Sequence, residues 1–199
     1  MLYLFYFTEG VWYDMGVLTE SLERLLNFYM RLCDNDWVLW TAQPNDWNDD
    51  CDKFDGCFFI VKSMPRYPQH ANCRCLLKKI DKPIPYKTAN ADCDVRKFSE
   101  YIFAESQSNG KKALFENWGY SKKDSELLKD FFISQALKKY CAGDYKFSGT
   151  NDFCAKIEII IELPVKNGKI RSIKSGWCLL KNGELKLSTP FSGFAAKED

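Results

Sequence analysis

Histidine is nearly missing from this sequence: His70 is the single imidazole in 199 residues. Residues 85–199 contain none, so a histidine acid/base pair or a Ser-His-Asp triad confined to that stretch is excluded. Long apolar runs are missing as well. Nothing approaches the roughly 18 consecutive residues of a membrane helix. The apolar opening MLYLFYFTEG has no basic segment before it and is interrupted by Glu9, so it does not read as a signal peptide. A chain away from membranes, in a reducing cytoplasm, is therefore expected. There is no glycine-rich phosphate loop of the Walker type, no internal repeat and no low-complexity tract. An excess of one charge is also lacking: the formal net charge is +1, so whole-molecule electrostatics point to no partner.

What is present is enough for a core, with 46% hydrophobic and 16% aromatic residues. Nine cysteines stand beside the lone histidine. An odd count without a leader argues against a closed disulfide scaffold and leaves metal binding or plain reduced thiols. The near-zero charge conceals an asymmetry. Up to residue 84 there are nine basic and twelve acidic side chains, a difference of −3; beyond it there are nineteen and fifteen, a difference of +4. The change falls at Lys82-Pro83-Ile84-Pro85, where alternate prolines disfavour helix and central strand and mark a connector. Two parts are expected, residues 1–84 and 85–199.

Apolar positions Leu18, Leu22, Leu25, Leu26, Tyr29 and Leu32 predict a helix over 17–32. Residues 34–56 read as loop with short extended pieces, and CFFIV at 57–61 as a strand after the Asp55-Gly56 turn. In the back part, Asp94 can cap a helix to about Glu105, KKALFENW forms a short helix ended by Gly119, and Ser121 with Asp124 starts a longer one to about Tyr140. The period then changes to two. CAKIEIIIELPV (154–165), KIRSIKSGWCLL (169–180) and ELKLST, separated by Asn167-Gly168 and Asn182-Gly183, predict an antiparallel meander. The fold class is α+β: a loop-rich, zinc-clipped N-terminal segment, then helices packed on one face of an antiparallel β-meander.

The densest chemistry lies in CDKFDGCFFIVKSMPRYPQHANCRCLL. Cys51, His70, Cys73 and Cys75 offer a Cys₃His set for zinc, with Cys57 as a substitute ligand. A loop-rich segment with little core of its own gains most from such a clip. The Cys51-x₅-Cys57 spacing is wider than a zinc knuckle, and Asn48 occupies the place of a C-x₂-C partner, so reduced cysteines in a buried loop remain the alternative. Cys33, Cys93, Cys141, Cys154 and Cys178 are scattered and read as reduced thiols.

The order WTAQ…DDCDKFDGCFF…PRYPQHANCRCLL resembles the C-terminal tail of phage Mu F-like head morphogenesis (minor capsid) proteins. Trp40 and Thr41 match the opening of that tail, Cys51 with Asp55 and Gly56 its turn, and His70, Cys73, Arg74 and Cys75 its terminal box. Asn48 stands where a first cysteine is frequent and Ala71 where proline is usual. The resemblance covers roughly residues 20 to 80 and implies a truncated remnant, cytoplasmic or virion-associated, that meets capsid or portal proteins.

The back part is similar to a small domain of unknown function found at the C termini of such phage proteins and of bacterial toxins. Its landmarks are Gly110 to Phe115, Gly119-Tyr120, Trp177 and Leu187 to Thr189. Helices followed by an antiparallel sheet also resemble compact ribonuclease toxins related to barnase and RelE, at the level of fold alone. Without histidine, a metal-independent ribonuclease could use Lys or Arg against phosphate charge and a Tyr, Glu or hydroxyl to move the proton. The candidate catalytic positions are Lys111, Lys112, Arg171, Lys174 and Thr189; singly, each also reads as a solvated residue on a sheet edge or helix. The resemblances imply a toxin-like effector acting on RNA, with an immunity protein as a further partner. The alternative is a non-enzymatic phage structural or packaging accessory.

Overall fold

A computed structural model describes residues 31–43, 50–70, 73–80, 89–105, 110–166 and 168–195, and the backbone of 7–8 and 11–12. The helix expected over 17–32 lies almost wholly outside them, as do the 82–85 connector and the boundary expected at 84. Strands β1 (Phe7–Thr8) and β2 (Val11–Trp12) form a short antiparallel ribbon. Strands β3 (Trp37–Thr41), β4 (Phe58–Ile60) and β5 (Leu76–Ile80) make an antiparallel sheet with β3 in the centre. The larger sheet contains β6 (Asn90–Asp92), β7 (Lys146–Thr150), β8 (Ala155–Pro164), β9 (Ile170–Leu179) and β10 (Glu184–Phe194), in the order β6-β10-β9-β8-β7. Its helices are α1 (Lys111–Trp118) and α2 (Ser125–Cys141), preceded by a π-helical segment, Lys97–Ile102. The class is α+β.

Period-two alternation builds the large sheet. Ile157, Ile159, Ile161 and Leu163 on β8 and Ile173, Trp177 and Leu179 on β9 are all fully buried. Helix α2 lays Leu128, Phe132, Ala136 and Tyr140, four residues apart, into the same core. Its approach is set by the Asp124 carboxylate, which accepts from both the N–H and the hydroxyl of Ser121 at 2.7 Å. The expected three-stranded meander is the centre of a wider sheet. Strand β7 (KFSGT) has little alternation, and β6 is three residues long and pairs parallel to β10, so neither leaves a period.

One expectation is overturned outright. Cys154 and Cys178, read as reduced thiols, form a disulfide. The β8/β9 register pairs Lys156 with Cys178 and brings the two cysteine Cα atoms to 5.6 Å, within bridging range.

The two sheets share one continuous core. Trp37 meets Tyr140 edge-on at 5.4 Å, and Phe54 and Phe59 both pack on Phe147. Polar groups cross the same junction: Ile60 N–H donates to the Tyr145 hydroxyl at 2.9 Å, and the Tyr140 hydroxyl donates to Phe58 O at 2.8 Å. The Asp55-Gly56 turn docks on the Asn182-Gly183 turn, where Asn182 N–H donates to Gly56 O at 2.9 Å and Lys181 Nζ lies 2.6 Å from Asp55 Oδ2. Gly143, at φ +71°, lets Ile60 come so close that a Cβ there would collide with Ile60 Cδ1. Among the described residues no helix is long and apolar enough to cross a membrane.

Candidate functional site

Two side-chain clusters carry chemistry, one beside each sheet. In the front, a 3₁₀ turn at Asp50–Phe54 buries Cys51 and Phe54, and the loop after β4 returns His70 and Cys73 to it. The Tyr67 hydroxyl holds this loop by donating to Cys75 O at 2.6 Å, while its ring meets Trp40 edge-on. Cys51 Sγ lies 3.4 Å from His70 Nε2 and 3.8 Å from Cys73 Sγ, and the three ligand atoms all fall within 4.8 Å of one another. This group could hold a metal ion.

Burial first, then the neighbouring thiols of Cys75 and Cys73, push the Cys51 thiol up. Burial also raises Cys75, against the opposing influence of Cys51, the Gln43 N–H and the Trp40 indole. That indole Nε1 is buried and lacks an acceptor at hydrogen-bonding distance. Cys75 therefore lies near enough to act on Cys51 but outside the three-residue group. Cys57 does not join. Its thiol donates instead to Lys53 O and Leu179 O, at 3.7 and 3.8 Å, and burial pushes it up to about 12. The five-residue spacer turns Cys57 toward the large sheet, which removes it as the substitute ligand.

At the large sheet, Lys111, one of the five candidate residues, contacts a tyrosine on which a second candidate, Thr189, also acts. Lys111, at the start of α1, donates to the hydroxyl of Tyr101, and its Nζ is 4.5 Å from the ring centroid. The Lys111 hydrogen bond holds the Tyr101 hydroxyl below its usual range; burial opposes this, and the Lys111 charge, Thr189 and Lys97 reinforce it. Lys97 also donates to Ser188 O at 2.9 Å, and the Thr189 hydroxyl donates to Phe191 O at 3.3 Å.

Of the other three candidates, two lie away from this tyrosine and one is held in an ion pair. Lys112 lines a separate cavity of about 590 Å³ with Glu100, Glu105, Glu116 and Lys122. Arg171 is exposed and pairs with Leu163, five residues along β9 from Gly176, the partner of Thr189; that is about 16 Å at strand rise. Lys174 is ion-paired with Glu158 at 3.3 Å. Reading the sequence missed Tyr101 and Lys97, which lie four residues apart on the π-helical segment.

Residues 85–192 match a family model, the Domain of unknown function (DUF6883). The chain belongs to this family. No curated protein and no solved structure matches it. Tyr101, Lys111 and Thr189 all fall inside the DUF6883 domain, whereas the Cys51 group precedes it.

Proposed function

We propose that the chain is a phage or prophage effector: a zinc-clipped segment of the head-morphogenesis type, continuous with a DUF6883 domain that cleaves RNA. The observation that carries this reading is the hydrogen bond from Lys111, a candidate for binding a phosphate-bearing substrate, to the hydroxyl of Tyr101. An ammonium hydrogen-bonded to a phenol is a proton-transfer pair that needs no imidazole, in a domain that has none. RNA is the substrate, an immunity protein and capsid or portal proteins are partners, and the setting is the host cytoplasm or the virion.

The metal is zinc, held by Cys51, His70, Cys73 and Cys75. Tetrahedral zinc, with bonds of about 2.3 Å to sulfur and about 2.0 Å to nitrogen, sets S···S near 3.8 Å and S···N near 3.5 Å. The observed separations are 3.8 and 3.4 Å. The orphaned Trp40 N–H supports Cys75 as the fourth ligand, because a thiolate accepts a hydrogen bond that a buried indole otherwise lacks. When bound, zinc supplies no reaction step: four protein ligands close its shell and tie the loop to the 3₁₀ turn.

Expression of the full chain in bacteria tests the effector reading. Growth arrest with fragmented RNA is expected, and intact RNA with normal growth would oppose it. The second reading, a non-enzymatic packaging accessory, draws on the exposed apolar side chains of Phe153 (84% exposed) and Phe194. Co-sedimentation with virions and no loss of RNA would favour it.

A further inference from the structure

We propose that Tyr101 is the proton acceptor of the DUF6883 domain, with Lys111 as the group that returns the proton and the Lys97–Thr189 edge as the seat of a phosphodiester of single-stranded RNA. The inference rests on the RNA-cleaving reading and adds the residues and the order of proton transfer.

Two backbone irregularities in different elements converge on this point. Tyr101 lies on the π-helical segment, where Phe103 N–H donates to Phe98 O at 2.9 Å, an i to i+5 bond. Such turns are rare and frequent at functional sites. Here Phe98 and Ile102 stay fully buried while Tyr101 is left only partly covered. On the facing element, β10 shifts register against β9 on both sides of Thr189, between Leu187 and Thr189 and again between Thr189 and Gly193. Bulges of this kind re-aim a side chain out of the ladder. Across from Thr189 stands Gly176, where a Cβ would come within 3.0 Å of Thr189 Cγ2, so the opposing strand leaves room for that side chain.

The groups acting on the Tyr101 hydroxyl are the ammonium of Lys111 and the hydroxyl of Thr189 from the neighbouring elements, and Lys97 from its own helix. The two cations favour the phenolate and attract a phosphate. In the reaction, phenolate Oη takes the proton of the RNA 2′-hydroxyl. The 2′-oxygen forms a bond to phosphorus, the bond from phosphorus to the 5′-oxygen breaks, and the leaving oxygen takes a proton from Lys111 Nζ. The products are a 2′,3′-cyclic phosphate and a 5′-hydroxyl. Direct return of the phenol proton to the Lys111 amine, along the hydrogen bond already present, restores the starting pair.

The test uses the purified full chain and an end-labelled single-stranded RNA of mixed sequence. Wild type is expected to leave 2′,3′-cyclic phosphate ends and to spare the all-2′-deoxy oligonucleotide. Tyr101→Phe and Lys111→Met should each slow cleavage by about 100-fold or more, the usual share of a positioned acid or base. Lys97→Met should move the rising limb of the rate–pH profile to higher pH, since removing a cation raises the phenol, and Lys122→Met should leave rate and profile unchanged. Tyr101→Phe cleaving at the wild-type rate overturns the inference and leaves the RNA-cleaving reading standing. Wild type that leaves RNA intact overturns both. Where Tyr101→Phe lowers the unfolding temperature, the Lys97→Met profile decides, and an unshifted limb overturns the inference.

Discussion

Strands β3, β4 and β5 are three to five residues long, and two of the three residues that bring the Cys/His group together lie in the loop between β4 and β5. Strands β8, β9 and β10 are ten or eleven residues long and follow one another through short turns. Ordering a long loop costs backbone entropy that three short strands do little to offset. Consecutive hairpins with an unbroken apolar face repay it from neighbouring contacts. On the proposed zinc-clipped reading, the front sheet would depend on a cross-link at its loop as well as on the shared core, whereas the back sheet rests on its own alternation.

Breaking the cross-link should have the largest effect. Cys51→Ser should lower bound zinc from about one equivalent to less than about 0.2, measured on purified protein, because structural zinc contributes on the order of 10 kcal/mol or more in small sites. Thermal unfolding of that variant should gain a separate, lower transition for the front sheet. Next comes the shared core. Phe132 is fully buried and packs on Phe98 at 5.0 Å, so Phe132→Ala should cost about 3–5 kcal/mol in urea unfolding, as one shifted transition.

Gly143→Ala acts at the junction itself. A positive φ and the clash with Ile60 should cost about 1–3 kcal/mol, with calorimetry as the check. The smallest effect belongs to Lys181. Its ammonium holds the Asp55 carboxyl below the usual carboxylate range. A carboxyl lowered in the folded state adds stability above its unfolded pKa and loses it as pH falls through the folded one. Lys181→Ala should therefore unfold slightly earlier than wild type at neutral pH, with the gap closing in acid.

Much of the back domain was legible in the sequence. Alternation along β8 and β9, four-residue spacing in α2 and the Ser121/Asp124 capping box each announce themselves locally, and each is found in the structure. Strand β6 was not legible, because a parallel edge strand of three residues owes its existence to a partner nearly a hundred positions away. The same holds for Cys154–Cys178, which depends on strand register. In the front, residue types and order pointed to Cys51, His70, Cys73 and Cys75 with Cys57 as a substitute; the first three lie together, Cys75 falls outside their group, and spacing alone could not turn Cys57 away. That choice is made by which way the 3₁₀ turn faces. Tyr101 was illegible for another reason: its setting requires a π-helical segment and a doubly bulged strand to meet.

The difference between the two sheets is tested most directly by hydrogen–deuterium exchange of the full chain with and without a zinc chelator. Chelation should strip protection from β3, β4 and β5 while β8, β9 and β10 keep theirs. Unchanged protection in the front, or equal loss in both sheets, would contradict this difference.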